Sequence, residues 1–269
     1  VVTESAVSAA VTALGKDVGV PLVEPHGRGV RLTASGETFA GYARTILGLH
    51  DEAVAAARGD VDPEHGRVRV AAVTTAAEQV LPGVLASFRD RFPHADVQLS
   101  VGPSRQVWSS LERHEADLAV AGRPPQWLSG VLTRAVRANE LVVVAAPGVA
   151  DSFDPGTVTW LLREEGSGTR TTCEALLSRL DAEPPLLTLG SNGAVVAGAV
   201  AGLGATLVSR AAVARLLDEG RLARVPVPGT PQRRPWHAVT QRHPPPTTLL
   251  LVDHLLALPG GDRWRRPAK

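Results

Sequence analysis

Pro25-His26-Gly27-Arg28-Gly29-Val30-Arg31-Leu32-Thr33 is the stretch on which the reading of this chain turns. Glycines flank an arginine and an alternating run follows, the pattern of a small hairpin, or wing, that displays Arg28 and Arg31. Before it, Val7, Val11, Leu14 and Val18 recur at spacings of four and three. That periodicity predicts a helix, with Gly19 as its C-terminal cap. After it, Thr33 is suited to cap a second helix, with Glu37 in the first turn. This helix is expected to run to about Arg58, with Phe39, Tyr42, Ile46, Leu49 and Ala53 on one face. Gly59-Asp60-Val61-Asp62-Pro63-Glu64-His65-Gly66 is polar and rich in breakers, which marks a linker.

From Arg67 the text changes character. Short apolar runs at 68–73, 97–101, 118–121 and 141–145 read as strands, with helices between them at 78–91 and 104–114. The second half repeats the theme, with strands at 159–163, 186–189, 205–208 and 236–241. Helices are expected there at 169–180, 194–201, 211–217 and 247–257. Such alternation argues for parallel, helix-covered sheets and an α/β fold. Two units of similar size, joined near Ala145-Ala146-Pro147-Gly148, suggest a cleft between two lobes. The expected division is 1–33 for the helix and wing, 34–59 for the long helix and 60–66 for a hinge. The first lobe takes 67–145, completed by 242–258, the second lobe takes 146–241, and 259–269 is a disordered tail.

Composition excludes several classes. The 269 residues carry 28 Lys+Arg against 27 Asp+Glu, a formal charge of +1, so this is no strongly basic coat protein. The hydrophobic fraction of 44% is that of a globular protein. No run of about 20 uncharged apolar residues exists, so no membrane partner is expected. The start Val1-Val2-Thr3-Glu4-Ser5 shows no export signal, and a cytoplasmic location follows. The sequence contains no Met, not even an initiator, so its true start is expected to lie further upstream. Enzyme signatures are missing too: no Gly-x-Ser-x-Gly, no His-Glu-x-x-His and no phosphate loop. Gly202-Leu203-Gly204 follows a helix and precedes a strand, the wrong order for a dinucleotide fingerprint. The single cysteine, Cys173, falls in a helical pattern beside Leu176 and Leu177, where burial is expected. Neither a catalytic role nor a cofactor or metal is expected.

Binding has a better case. Ser, Thr and Gly gather where strands end and helices begin: Val73-Thr74-Thr75, Gly102-Pro103-Ser104, Glu165-Gly166-Ser167-Gly168-Thr169 and Gly190-Ser191-Asn192-Gly193. Ligands of open α/β sheets sit beyond the carboxyl ends of the strands, where free backbone N–H groups favour small anions. Thr74, Thr75, Ser104, Ser167, Thr169, Ser191 and Asn192 are therefore candidate effector ligands, and Arg163 or Arg170 would add charge. Each hydroxyl could equally do no more than cap its own helix. At the N-terminus, a helix opening at Thr3 would present Thr3, Glu4, Ser5 and Ser8 to DNA, while Arg28 and Arg31 contact the backbone. Against that, residues 1–59 hold five Lys+Arg and six Asp+Glu, so composition alone does not favour DNA.

The residues from Thr3 to Leu14, followed by Gly19-Val20-Pro21-Leu22-Val23-Glu24, resemble the recognition helix of LysR-type transcriptional regulators. Arg28-Gly29-Val30-Arg31-Leu32-Thr33-Ala34-Ser35-Gly36 resembles their wing and the start of their linker helix. The likeness continues through Arg163-Glu164-Glu165-Gly166-Ser167-Gly168-Thr169-Arg170, Leu189-Gly190-Ser191-Asn192, Ala201-Gly202-Leu203-Gly204 and Arg234-Pro235-Trp236. The second-lobe motifs resemble the branch that regulates sulfur assimilation and carbon fixation. The resemblance implies a winged helix-turn-helix, a dimerising linker helix and a two-lobed effector domain like a periplasmic binding protein. It also implies promoter DNA, a small effector, RNA polymerase and other copies of the chain, as homodimer or homotetramer, for partners. Thr75 and Ser167 fall where the sulfur branch places hydroxyl ligands for a small anion, with Thr74, Ser104 and Thr169 as neighbours. The family begins with two further helices that this sequence does not carry. The stretch as written is therefore expected to bind DNA poorly, leaving a stand-alone ligand-binding protein as the alternative. Glu4, Ala9 and Ala10 replace the family's frequent Gln and Arg, so base readout is expected to differ.

Overall fold

A computed structural model describes residues 3–27, 29–58, 62–259 and 263–267. Helix α1 (Glu4–Val18) starts where the Thr3 hydroxyl accepts the Ala6 N–H. It ends at Gly19, whose φ of +81° a side chain would disfavour. Strands β1 (Val23–His26) and β2 (Gly29–Leu32) form the expected antiparallel hairpin, with Glu24 directly opposite Arg31. The Thr33 hydroxyl then accepts the Gly36 N–H at 2.9 Å, capping α2 (Ala34–Arg58), and donates to the Pro21 carbonyl at 2.7 Å. One side chain thus starts the long helix and ties it to the hairpin. Further along α2, Arg44 pairs with Glu115 at 3.4 Å and Gly48 lies against His114, so this helix touches the α/β part of the chain.

A short 3-10 turn, Pro63–His65, leads into the first lobe. Its elements are β3 (Arg67–Val73), α3 (Thr74–Gln79), α4 (Leu81–Arg91), β4 (Asp96–Gly102), α5 (Ser104–Glu112), β5 (Leu118–Ala121) and β6 (Val131–Arg137). The chain then crosses to the second lobe. There follow β7 (Glu140–Ala145), α6 (Pro147–Ala150), β8 (Trp160–Leu162), α7 (Gly168–Arg179), β9 (Leu186–Thr188), α8 (Asn192–Val200), β10 (Thr206–Ser209), α9 (Arg210–Asp218), β11 (Ala223–Val225) and β12 (Gln232–Arg233). A second crossing returns to the first lobe for β13 (Trp236–Gln241) and α10 (Pro246–Ala257). The first sheet runs β4-β3-β5-β13-β6, and the second is built on β7 with β10, β11 and β12 against it. A parallel pair, β8 and β9, joins that second sheet through Trp160 and Ala205.

Both sheets are covered on both faces. Phe88, Leu118, Leu251 and Leu255 fill one side of the first, and Val107, Trp108 and Leu111 the other. Trp160, Leu176 and Leu207 fill one side of the second, and Val142, Leu161 and Val208 the other. Strands buried on both faces read as continuous apolar runs, which is why β5 and β7 were legible.

The α/β class is as expected, but several details differ. The sheets are mixed: β13 runs antiparallel to β5 and β6, and β7 antiparallel to β10, β11 and β12. Residues 140–145 belong to the second sheet and 236–241 to the first, the reverse of the expected division. An apolar run identifies a strand but not the neighbour it pairs with. The expected helix 78–91 is two helices, because Pro82 lacks the N–H that a helix running through it would need. The half-buried β6 and the short β11 and β12 have too few apolar residues to stand out. Within the expected disordered tail, Trp264 and Arg265 are held against the first lobe. Arg265 exchanges two backbone hydrogen bonds with Val136 on the β6 edge, and Trp264 is 2% exposed within the first core. The indole supplies apolar burial that its charged neighbours obscured.

Candidate functional site

The two lobes meet over a narrow cavity. Thr74 and Thr75 reach it from the first turn of α3, just past β3, and Ser104 from the first residue of α5, just past β4. The second lobe contributes Ser167, Gly168 and Thr169 at the start of α7. Asn139 and Arg234, on the two crossings between lobes, and Trp236, which opens β13, close the remaining side. Only about 30 Å³ is open to the centre of a water-sized sphere, room for a small polar group.

The lining is built to donate. Thr75 is 8% exposed and Ser167 4% exposed. The Ser167 oxygen accepts the Arg170 N–H at 3.4 Å as the cap of α7, which leaves its hydroxyl hydrogen for a ligand. Among the described residues, the side chains of Thr75, Ser104 and Arg234 have no hydrogen-bond partner. Helices α5 and α7 direct their N-termini here from opposite lobes, adding partial positive charge.

The two arginines expected to add charge are already engaged. Arg163 holds Glu164 through Nε at 2.7 Å and Nη2 at 2.6 Å, and Arg170 pairs with Glu174 at 2.7 Å. Burial works to raise the Glu164 carboxyl, but the Arg163 hydrogen bonds and a backbone N–H outweigh it and hold the group below its usual value. Arg234 is different: burial alone acts on it, pulling its guanidinium down, and no carboxylate faces it.

Five of the seven expected effector residues therefore line one cavity: Thr74, Thr75, Ser104, Ser167 and Thr169. Ser191 and Asn192 do not. Ser191 caps α8 by accepting the Ala194 N–H at 3.1 Å, and Asn192 Oδ1 accepts from Arg163 Nη1, a residue of the cavity lining, at 3.5 Å. The sequence reading missed Asn139 and Arg234, which sit at the crossings, and Ser209, which ends β10; lobe exchange brings the three together. Cys173 is buried in α7, and burial pushes its thiol up to about 12, so it is no nucleophile near neutral pH.

At the other end of the chain, Thr3, Ser5 and Ser8 are exposed on the first two turns of α1, which Glu4 opens. Thr3 and Ser5 bond to each other at 3.1 Å. Arg31 does not stand alone on the wing, because its Nε donates to Glu24 at 2.6 Å. Arg28 lies outside the described residues.

A wing and helix joined through a long helix to a two-lobed, periplasmic-binding-protein-like receptor define a ligand-responsive DNA-binding protein. The comparisons give the family. The profile described as bacterial regulatory helix-turn-helix protein, lysR family, matches residues 1–37, and the LysR substrate binding domain matches residues 62–259. The chain belongs to the LysR family of DNA-binding transcriptional regulators with an effector-binding domain. It is 31% identical to the HTH-type transcriptional regulator CbbR of Rhodospirillum rubrum over 267 residues, covering 95% of this chain and 87% of that one. It is also 31% identical to the RuBisCO operon transcriptional regulator of Acidithiobacillus ferrooxidans, covering 95% and 85%. Among solved structures it matches the regulatory domain of CcmR from Synechocystis PCC6803 in complex with 2-PG. That match has a TM-score of 0.65 and 25% identity, over 71% of this chain and 96% of that one. The helix-turn-helix match favours the DNA-binding reading over a stand-alone ligand-binding protein. No helix among the described residues is long and apolar enough to cross a membrane.

Proposed function

We propose that this chain binds promoter DNA through α1 and the wing, and that a small anionic metabolite held between the lobes controls that binding. The observation that carries the reading is the convergence of Thr75 and Ser104 from one lobe and Ser167 from the other on one narrow cavity. A ligand that bonds to both sides is bound better by the closed arrangement, and only such a difference lets it shift an equilibrium. The likeness to a RuBisCO operon regulator supports a role in the carbon-fixation branch of the family, in the cytoplasm and without catalysis of its own. The 2-PG bound to CcmR supports a compact anion and makes 2-PG the first ligand to test. Tyr42, Ile46 and Leu49 leave an apolar stripe of α2 exposed, which supports pairing with a second copy in a homodimer or homotetramer. RNA polymerase is the further partner of such a promoter complex.

Ser167→Ala and Thr75→Val are each expected to weaken 2-PG binding by about 1–3 kcal/mol, through loss of a hydrogen bond to a charged group. Calorimetry that finds both variants unchanged, with the parent binding, would remove the cleft from the assignment.

The wing gives a second expectation. Glu24→Gln removes the carboxylate that occupies Arg31 and frees the guanidinium for a phosphate. DNA affinity should rise across sequences, and the salt dependence, log K against log salt, should steepen by about one. An unaltered slope would show that Arg31 does not reach the DNA backbone.

A further inference from the structure

Arg234 sits on the second of the two crossings between lobes. Its N–H donates to the Asn139 carbonyl at 2.9 Å, and its own carbonyl accepts from Asn139 Nδ2 at 2.9 Å. Asn139 lies on the first crossing, and its Oδ1 accepts from Ser209 of the second lobe at 2.6 Å. The two crossings are thereby pinned together into a hinge that carries Arg234.

From that hinge the guanidinium enters the cavity. It lies beside Gly168, at the start of α7 in the second lobe, and Ser104 of the first lobe is at the same spot. It also lies beside Gly122, just past β5 in the first lobe, where an added Cβ would be 3.1 Å from Nη2. A Cβ at Gly168 would overlap the guanidinium, whereas one at Gly122 would only crowd it. Thr75, more than nine-tenths buried and unpartnered, lines the same space. A partly desolvated cation, two positive helix ends and no carboxylate make a site that is satisfied only by an incoming anion.

We propose that Arg234 is the charge-pairing residue of the effector site, that it takes a phosphate or carboxylate group of the effector, and that its place on the hinge makes occupancy draw the lobes together. This deepens the reading that the effector binds between the lobes and rests on it. A planar guanidinium suits either oxyanion through two parallel hydrogen bonds.

The test uses the full chain, with 2-PG, inorganic phosphate and acetate as probes, for the wild type, Arg234→Gln and Arg234→Lys. Arg234→Gln should weaken binding of 2-PG on the order of 10–150-fold, with Arg234→Lys recovering part of the loss. Phosphate binding without acetate binding assigns the phosphate group to Arg234, and the reverse assigns the carboxylate. In the absence of anion, Arg234→Gln should melt no lower than the wild type, because it removes an uncompensated charge, and the anion-induced rise in Tm should vanish. Small-angle scattering should show contraction on adding 2-PG to the wild type and none with Arg234→Gln. If Arg234→Gln binds within twofold of the wild type while Ser167→Ala loses affinity, the cleft stands and the role of Arg234 is overturned. A lower ligand-free Tm for Arg234→Gln, with contraction kept, would make the residue structural and overturn it as well. Failure of the folded wild type to bind any of the three overturns this proposal together with the reading it rests on.

Discussion

Asp117→Ala is expected to lower the melting temperature of the effector domain by roughly 6–12 °C, the equivalent of about 3 kcal/mol. Asp117 stands just ahead of β5 and is 4% exposed. Its carboxylate accepts the backbone N–H of Arg69 at 2.7 Å and the Arg69 side chain at 3.1 Å and 2.6 Å, while its own N–H donates to the Arg69 carbonyl at 2.8 Å. It therefore extends the parallel ladder between β3 and β5 by one side-chain rung, at the level where the strand pairing itself begins with Val70 and Leu118. Alanine would remove the acceptor of a buried backbone N–H and of a guanidinium in one step. Because the Arg69 side chain is 29% exposed and reaches water, the cost should fall at the lower end of the range for breaking a buried pair. Arg67 and Asp96, two residues away on the same strand, supply the control. That pair is equally short at 2.7 Å but 64% and 50% exposed, so Asp96→Ala should cost about 0–1 kcal/mol. Equal losses from the two variants, measured by thermal melting, would mean that burial is not what gives Asp117 its weight.

What could be read from the residues, and what could not, divides along physical lines. The hairpin at 23–32 and the helix from Thr33 are local: Gly19, Gly27, Gly29 and Thr33 act within a few residues of themselves, and the structure uses Gly19 and Thr33 as expected. Thr75, Ser104 and Ser167 were legible for a similar reason, since each sits where a strand hands over to a helix, and α/β sheets bring such points together. Arg234 gave no such signal. Its position in the cavity depends on the chain leaving the first sheet after β6 and returning at β13, and pairing between distant strands leaves no periodicity in either segment. The same exchange puts 140–145 in the second lobe and 236–241 in the first, against the expected division. Ser191 is a different case. It has the hydroxyl, the glycine neighbours and the helix start of a binding turn, yet its oxygen accepts the Ala194 N–H as the cap of α8 and it does not line this cavity.

Gly36→Ala and Gly41→Ala make the same chemical change five residues apart on α2, and opposite results are expected. A methyl at Gly41 meets nothing within 4 Å, so alanine should stabilise the helix by about 0.5–1 kcal/mol through a stiffer unfolded chain and better helix propensity. A methyl at Gly36 would overlap the Leu22 carbonyl and crowd the Leu32 side chain. The obstacle is backbone, held in turn by Thr33, whose N–H donates to Leu22 O at 3.1 Å and whose hydroxyl donates to Pro21 O at 2.7 Å. Nothing there can rotate aside, so the first turn of α2 must move off the hairpin, at a cost of about 3 kcal/mol, the upper part of the usual overpacking range. Hydrogen exchange should report it as lost protection at 29–38 with the effector domain unaltered, and 2-PG binding should persist. DNA binding should fall, because the wing and α1 would no longer be held in one orientation on the helix that carries them. A Gly36→Ala protein that retained both its protection and its DNA affinity would show that the hairpin and the long helix do not work as one rigid reading head.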